Sequence, residues 1–467
     1  RSLLALLNGE VVPFEIEGVH SGNRTFGHRW LGAEEITVSG AESLREELRA
    51  GFVILSPHER RQKIEREAAA ALPAGKRVRP NRALLETLVY LTEYPTAIAG
   101  AFDAGYLALP PEVLETVMLH HQKYFAVEDE NGALAAHFVA VANLDVDPDG
   151  VIRQGHERVL RARFNDAEFF WQADQKRKLS ERVDDLKLVT FQASLGSYHD
   201  KTQRNQELVV ALADATGGLS SEQVEQAQRA AELAKCDLTT EMVGEFPELQ
   251  GIIGGLYAGV QGEPKEVADA IYDHYKPEGA REDLPRGPIG QIVAITDKLD
   301  ALGGMFRLGM IPSGSKDPFA LRRAAYGIIV IVVRGELPLT ISTLSSLADA
   351  GDNTAGLREF FLERLRHFLK EERGFKYDEV NAVLAAADDD PREVVARCEA
   401  IAKVRPTENF EPLAVSFKRI KNILRQAGGI EQFDLRTRAV RLERPPAQYQ
   451  QAQMGGKMSK QQRRGRW

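Results

Sequence analysis

The chain has 467 residues, a formal net charge of −8, 43% apolar residues and two cysteines, Cys236 and Cys398. These values are typical of a soluble globular protein of two to four domains, and they exclude a disulfide scaffold and favour a reducing, cytoplasmic location. No run approaches the ~20 apolar residues of a membrane span, so we expect no contact with a membrane.

The first part of the chain, 1–180, predicts an α+β region. Residues 10–17 alternate apolar and polar side chains, as strands do. Pro57 opens a helix, and Glu130-Asn131-Gly132 favours a hairpin turn between strands at 124–127 and 137–142. The chain opens on Arg1 instead of Met, so we expect an N-terminal piece to be missing.

The rest of the chain predicts helices, which makes the fold class multidomain and mostly α. A helix from Lys201 to Thr216 ends at two glycines, and Ser220 begins the next. Apolar stripes with helical spacing run from Leu357 to Leu369 and from Leu413 to Leu424. We divide this part into helical domains at 181–335 and 336–440, followed by a disordered basic tail at 441–467.

One set of residues in the middle domain has the order used by phosphohydrolases of the HD superfamily. The set is His199-Asp200, Cys236-Asp237, His274 and Asp297. Imidazoles and carboxylates that converge on a divalent metal would activate water against a phosphate. Because a cysteine replaces the central histidine, a vestigial, HD-like helical domain without a metal is the preferred interpretation. A metal-dependent phosphohydrolase is the alternative. The sequence has no glycine-rich phosphate loop for ATP.

Four stretches resemble the β subunit of the bacterial two-subunit glycyl-tRNA synthetase. They are Lys235–Gly254, Ile311–Ala325, His121–Val127 and Glu157–Phe170, within a similarity that runs from about Leu3 to Arg425. The resemblance implies an accessory, tRNA-binding subunit of an α2β2 glycine–tRNA ligase, with tRNA(Gly) and the α subunit as partners. It also implies that ATP with Mg is used through the α subunit, so we expect neither a catalytic residue nor a cofactor on this chain. The anticodon-binding region that normally follows is not recognisable after Phe433.

Three basic groups are candidate contacts for tRNA phosphates. Cations beside a helix N-terminus suit phosphate, because backbone N–H groups add donors. The candidates are Lys316, Arg322 and Arg323, then Arg158, Arg161 and Arg163, and then Lys418, Arg419 and Lys421. For the first group we expect a helix that starts at Pro318 and carries Arg322 and Arg323 on its first turns. For the first group, an internal ion-pair network with Asp297, Asp300 and Asp317 is an equal alternative. A degraded paralogue that binds neither the α subunit nor tRNA is a third interpretation of the sequence.

Overall fold

The computed structural model describes residues 2–426 except 33, 280, 281, 387, 388 and 409. The chain divides into two compact units, Arg1–Cys398 and Glu399–Trp467. The tail at 441–467, for which we predict disorder, lies outside the described residues. The domain boundaries at 180, 335 and 440 stay predictions.

Short strands occupy the beginning of the first unit. They are β1 Leu3–Leu4, β2 Leu6–Leu7, β3 Glu10–Val11, β4 Glu15–Ile16, β5 Val19–Gly22, β6 Arg24–Phe26 and β7 Glu35–Thr37. They form small sheets in the orders β1-β5-β4, β2-β3 and β6-β7, with β1 parallel to β5. Helix α1, Ala41–Ala50, packs Leu48 against Ile36 and Val38 in a small core.

A four-stranded antiparallel sheet forms the centre of the α+β region. Its strand order is β8-β10-β11-β9. The strands are β8 Lys76–Val78, β9 Pro95–Ala101, β10 Phe125–Asp129 and β11 Leu134–Asn143. The helices of this region are α2 Pro57–Ala71, α3 Arg82–Leu91, α4 Pro111–Thr116 and α5 Val151–Asp174. Helices α2 and α3 pack on one face, where Ile64 and Leu88 meet Val139. On the other face, Tyr124 stacks on Phe138 and its hydroxyl lies 2.6 Å from His156 Nδ1 of α5. The sheet is therefore covered on both sides, and the predicted hairpin β10–β11 is confirmed.

The remainder of the described chain is helical apart from one two-stranded ribbon. The elements are β12 Thr190–Gln192, β13 Gly196–Ser197, α6 Tyr198–Thr216, α7 Ser221–Leu233, α8 Glu241–Glu245, α9 Ile252–Val260, α10 Lys265–Asp273, α11 Gly287–Arg307, α12 Leu321–Arg334, α13 Ile341–Leu347, α14 Thr354–His367, α15 Tyr377–Leu384, α16 Pro391–Val404 and α17 Phe410–Gln426. Helix α11 is buried on all sides, with α6, α7, α10, α12 and α14 around it. A helix in that position needs apolar residues all round, and any polar residue in it needs an internal partner.

The predicted helix ends agree with the local chemistry. Ser220 accepts a hydrogen bond from the Gln223 N–H and caps α7, and Gly217 ends α6 in the left-handed region at φ 62°.

Between Ile311 and Ala325 the predicted start of the helix is wrong, because α12 begins at Leu321 and not at Pro318. Asp317 causes this shift, since its carboxylate accepts the N–H groups of Leu321 and Arg322 at 2.9 Å each.

Helix α17 forms where the second apolar stripe predicts it, but the stripe is not buried. Leu413, Phe417 and Ile420 are 52%, 65% and 53% exposed. Helical spacing identifies an apolar face, whereas burial also needs a second surface that the pattern does not specify. The mostly helical fold with an α+β beginning is confirmed, and no described helix is both long and apolar enough to cross a bilayer.

The contact between α9 and α10 requires a residue without a side chain at Gly255. A Cβ atom there would lie 2.5 Å from Tyr272 Cβ and 2.7 Å from the Tyr272 backbone nitrogen. Gly255→Ala should therefore lower the free energy of unfolding by about 2 kcal/mol, because the two helices must move apart. Urea denaturation measures this change.

Gly155→Ala is the matched control on α5, where a Cβ atom would meet nothing within 4 Å. It should raise the free energy of unfolding by up to about 1 kcal/mol, since alanine favours the helix. Equal stability of the two variants would contradict the close approach at Gly255.

Candidate functional site

The first pair of the HD-like set, His199-Asp200, lies in the first turn of α6. Asp200 Oδ2 accepts hydrogen bonds from Ser197 N at 2.7 Å and from Ser197 Oγ at 2.8 Å, so it caps its own helix. Among the described residues, no hydrogen bond or ion pair connects this pair to Asp237, His274 or Asp297. The pair thus has a local role at the helix N-terminus.

The second pair, Cys236-Asp237, is fully buried. Burial raises the pKa of the Cys236 thiol, which keeps it protonated and a poor metal ligand. Asp237 Oδ2 accepts the Gly251 N–H at 2.5 Å at the start of α9, and burial raises the pKa of this carboxyl to about 6. Asp237 therefore anchors the start of α9.

The last two positions, His274 and Asp297, do meet, and a lysine joins them. Lys235 Nζ lies 2.9 Å from His274 Nε2 and 3.0 Å from Asp297 Oδ2, and it stands 3.9 Å from the centre of the Tyr275 ring. His274 Nδ1 is 2.5 Å from the Ile271 carbonyl and so carries the proton. Burial, and then the charge of Lys235, lower the pKa of His274 to about 3. A neutral imidazole thus accepts from the ammonium group.

A second ammonium group also contacts Asp297. Lys201 Nζ lies 3.2 Å from Asp297 Oδ1 and 3.0 Å from Asp300 Oδ2, and Arg204 Nε lies 2.5 Å from Asp300 Oδ1. Although burial raises it, the pKa of Asp297 is held well below its ordinary value by the ammonium groups of Lys201 and Lys235. We call these residues, Lys201, Lys235, His274, Asp297 and Asp300, the buried lysine network.

A third buried lysine closes the end of α10. Lys298 Nζ donates to the carbonyl oxygens of His274, Tyr275 and Lys276 at 3.1, 3.0 and 2.9 Å. These carbonyls lack the next helical turn, and the ammonium group replaces it. Burial lowers the pKa of Lys298 to about 8.

These lysines are not among the residues predicted from the sequence, although a signal for them is present there. Lys201 follows Asp200, Lys235 precedes Cys236, and Lys298 follows Asp297. Each lysine thus stands beside a position of the HD-like order. In the described part of the chain, no group of three or more His, Cys, Asp or Glu side chains could hold a metal ion. No observation there favours the phosphohydrolase.

A cavity of about 270 Å³ adjoins the buried lysine network. Its lining includes Lys235 and Gln250 from the first resembling stretch and Phe319 and Arg323 from the second. The two stretches, of which one ends at Gly254 and the other begins at Ile311, are thereby brought together at one place on the helical bundle.

The basic group at the start of α12 faces outward. Lys316 and Arg323 are exposed and Arg322 is half-buried. Arg323 Nη1 makes a loose contact of 3.8 Å with Glu278 Oε2, and the two side chains are 60% and 59% exposed. The ion pairs of Asp297 and Asp300 are with Lys201, Lys235 and Arg204, as described above, so those two carboxylates are already occupied. The exposed Phe319 lies in the same loop.

Two of the three candidate arginines on α5 also face solvent. Arg158 and Arg161 are exposed and lie one turn apart on one face of the helix. Arg163 instead joins α5 to α8, because its Nη1 lies 3.1 Å from Glu245 Oε1. It is thus the weakest of the three for a phosphate.

The third candidate group lies on α17. Lys418 and Arg419 are exposed there. The side chain of Lys421 lies outside the described part of the structure. The exposure of Lys418 and Arg419 agrees with a phosphate contact on this helix, and that contact stays a prediction.

Comparison with known proteins gives the family. A family model described as glycyl-tRNA synthetase beta subunit matches residues 1–385. Glycine–tRNA ligase beta subunits from Acidobacterium capsulatum and Syntrophotalea carbinolica are 44% and 43% identical over 438 and 441 residues. The one from Moorella thermoacetica is 41% identical over 454 residues. The chain belongs to the glycyl-tRNA synthetase beta-subunit family, as the resemblance in the sequence indicates.

The relatives are longer than this chain. The alignments cover 91%, 92% and 94% of the chain but 62%, 63% and 65% of the three relatives. The chain therefore spans a little under two thirds of the length of the curated relatives that it matches.

The neutral state of His274 makes stability depend on pH. The ordinary pKa of histidine is 6.5 and that of His274 is about 3, so the unfolded chain takes up this proton first on acidification. The contribution of His274 to the free energy of unfolding is therefore fully present above pH 6.5. It falls by about 1.4 kcal/mol per pH unit as the pH drops from 6.5 towards 3. His274→Gln lacks this dependence. The free energy of unfolding of this variant, measured by urea denaturation, should be lower than that of the unmodified protein. This difference should shrink by about 1 kcal/mol from pH 7.5 to pH 5.5.

Asp237 does not disturb this comparison, because both proteins carry it. His20→Gln removes an imidazole that is 80% exposed and serves as the control. A deficit for His274→Gln that stays constant over this pH range would show that folding does not change the pKa of His274, and a deficit that grows as the pH falls would show that the folded state holds His274 protonated.

Proposed function

We propose that this chain is the tRNA-binding accessory part of a glycine–tRNA ligase and works with an α subunit in an α2β2 assembly. Membership of the beta-subunit family supports this, since the relatives carry that name. ATP and Mg would be used through the α subunit, and no residue of this chain would be catalytic. A ligase of this kind acts in protein synthesis in the cytoplasm.

The geometry best supports a tRNA contact at the loop before α12 and at the first turn of that helix. The observation that carries this proposal is that Asp297 and Asp300 are already bound by Lys201, Lys235 and Arg204. Among the described residues Lys316 and Arg322 have no ion pair and Arg323 has only the exposed contact with Glu278, so an external anion can bind all three. Their phosphate contacts would supply affinity without sequence choice, and Phe319 could stack on an unpaired base.

Arg158 and Arg161 on α5 are a second proposed contact, and Lys418, Arg419 and Lys421 on α17 a third. The α5 pair is supported by exposure and by the absence of acidic partners among the described residues. Arg163 is less favoured, because Glu245 already neutralises it.

We also propose that the helical region at 181–335 is a degenerate HD-like domain in which lysines replace the metal. The support for this is that His274 and Asp297 both contact one cation, the ammonium group of Lys235. Such a domain could no longer bind the metal that activates water, but its rigid helices would position the tRNA-binding loop.

Glycylation of tRNA(Gly) tests the proposed role. The purified chain, a matching α subunit and the mixture of the two are assayed for attachment of radioactive glycine. Activity that is confined to the mixture is the expected result. A mixture that stays inactive, when the same α subunit is active with a full-length β subunit, would favour a degraded paralogue.

Charge reversal tests the tRNA contact. The double variant Arg322→Glu and Arg323→Glu should weaken binding of tRNA(Gly) at least tenfold and lower the slope of log affinity against log salt by about 1 to 2. Filter binding across a salt series measures both quantities.

Arg45→Glu with Arg66→Glu, on exposed faces of α1 and α2, makes the same change in net charge and is the control. Equal losses in the two double variants would mean that net charge alone, and not this loop, determines affinity.

A further inference from the structure

A cleft of about 570 Å³ lies beside the central sheet, away from the basic loop and the buried lysine network. One face of α2 forms one wall, with Ile64, Ala68 and Ala69 on it, and β8 forms the other. Val78, Leu85 and Phe125 complete an apolar floor. The volume is that of a typical ligand-binding pocket, ~300–1,000 Å³.

The strand beside this cleft has an edge that is open at Val78, while the Lys76 N–H on the same side donates to the Pro73 carbonyl at 3.1 Å. Strand β8 ends the sheet order β8-β10-β11-β9. Arg79 donates its backbone N–H to the Ala126 carbonyl at 2.8 Å. Since backbone groups alternate in direction along an antiparallel strand, the N–H and C=O of Val78 point away from β10. Among the described residues, no other strand pairs with that side of β8.

The opposite edge of the same sheet is closed. On β9, the backbone N–H of Ala97 donates to Glu67 Oε2 at 3.3 Å and that of Ala101 to Glu157 Oε1 at 3.1 Å. Carboxylates in this position block the pairing of a further strand. Only the β8 edge therefore combines open backbone groups with an apolar cleft among the described strands of this sheet.

The rim of the cleft is basic. Lys76 and Arg82 lie on it without an acidic partner among the described residues, and Arg61 and Arg77 are paired with Glu86 and Glu128. Glu65 is the one acid in the lining. The two cations that remain unpaired would attract carboxylates.

We propose that this cleft binds an extended acidic peptide segment of a partner protein, which adds a fifth strand to the sheet beside β8. Backbone hydrogen bonds to Val78 would set its direction, and alternate apolar side chains would enter the cleft against Ile64, Ala68 and Phe125. Acidic side chains next to them would meet Lys76 and Arg82. This interaction is independent of the proposed tRNA contact.

Other occupants fit less well. The C-terminal segment of this chain, 445–467, has no acidic residue and carries Lys457, Lys460, Arg463, Arg464 and Arg466, so the basic rim would repel it. A nucleic acid could use the cations, but it has no backbone N–H and C=O ladder for β8 and no alternating apolar side chains for the floor.

The test uses the full chain and a fluorescein-labelled nonapeptide in which valine or isoleucine alternates with glutamate. Fluorescence anisotropy should give a Kd on the order of 10–100 μM, as for weak specific contacts. Ala69→Trp, which fills the cleft from an exposed position on α2, should weaken binding at least tenfold. Ala70→Trp adds the same side chain one residue away, outside the lining, and should change the Kd less than about twofold.

Two further comparisons test the proposed backbone pairing and charge. The same peptide with alternate backbone amides methylated should lose binding at least tenfold, because it cannot pair with the β8 edge. Lys76→Glu with Arg82→Glu should also weaken binding, whereas Arg45→Glu with Arg66→Glu should not.

Three results would overturn the proposal. They are no binding at about 1 mM peptide, binding that Ala69→Trp or amide methylation leaves unchanged, and equal binding of a peptide with lysine in place of glutamate. A single-stranded RNA that binds with the same sensitivity to Ala69→Trp would assign the cleft to nucleic acid instead. None of these results would alter glycylation by the mixed subunits, so failure here is distinct from failure of the proposed function.

Discussion

The helical part of this protein depends on the compensation of one buried carboxylate, that of Asp297. Helix α11 is enclosed by its neighbours and Asp297 is only 8% exposed, so its charge needs partners inside the protein. Lys201 comes from α6, and Lys235 from the segment that follows α7. Loss of either would leave an uncompensated charge, at a cost of about 3–5 kcal/mol. The network thereby determines how these elements meet α11.

The buried lysine network also affects which charged groups face solvent. Because Lys201, Lys235 and Arg204 neutralise the buried acids, the cations at the start of α12 remain outside the core and face solvent. The α+β region has its own division, with one sheet edge closed by Glu67 and Glu157 and the other open beside a cleft. The protein thus presents a basic surface and an open strand edge on two differently built parts of the first compact unit.

Much of the local structure was predictable, because capping and turn chemistry act over a few residues. Ser220 and Gly217 mark helix ends, and Glu130-Asn131-Gly132 lies in the turn of the hairpin between β10 and β11. The start of α12 was misplaced, since Pro318 suggested a helix start that the carboxylate of Asp317 moves to Leu321. The apolar stripe of α17 was identified as a face, but its exposure was not.

The sequence by itself determined the family, the mostly helical class and the residues of the HD-like order. Those depend on residue identity and on spacing along the chain. Only the tertiary structure decided that His274 and Asp297 meet at the Lys235 ammonium group and that Asp237 turns to Gly251 instead. The partner of a buried charge is set by which helices pack together, and pairs such as Lys201 and Asp300 lie far apart in sequence. A pattern over a few neighbouring residues does not show which residues far apart in sequence come into contact.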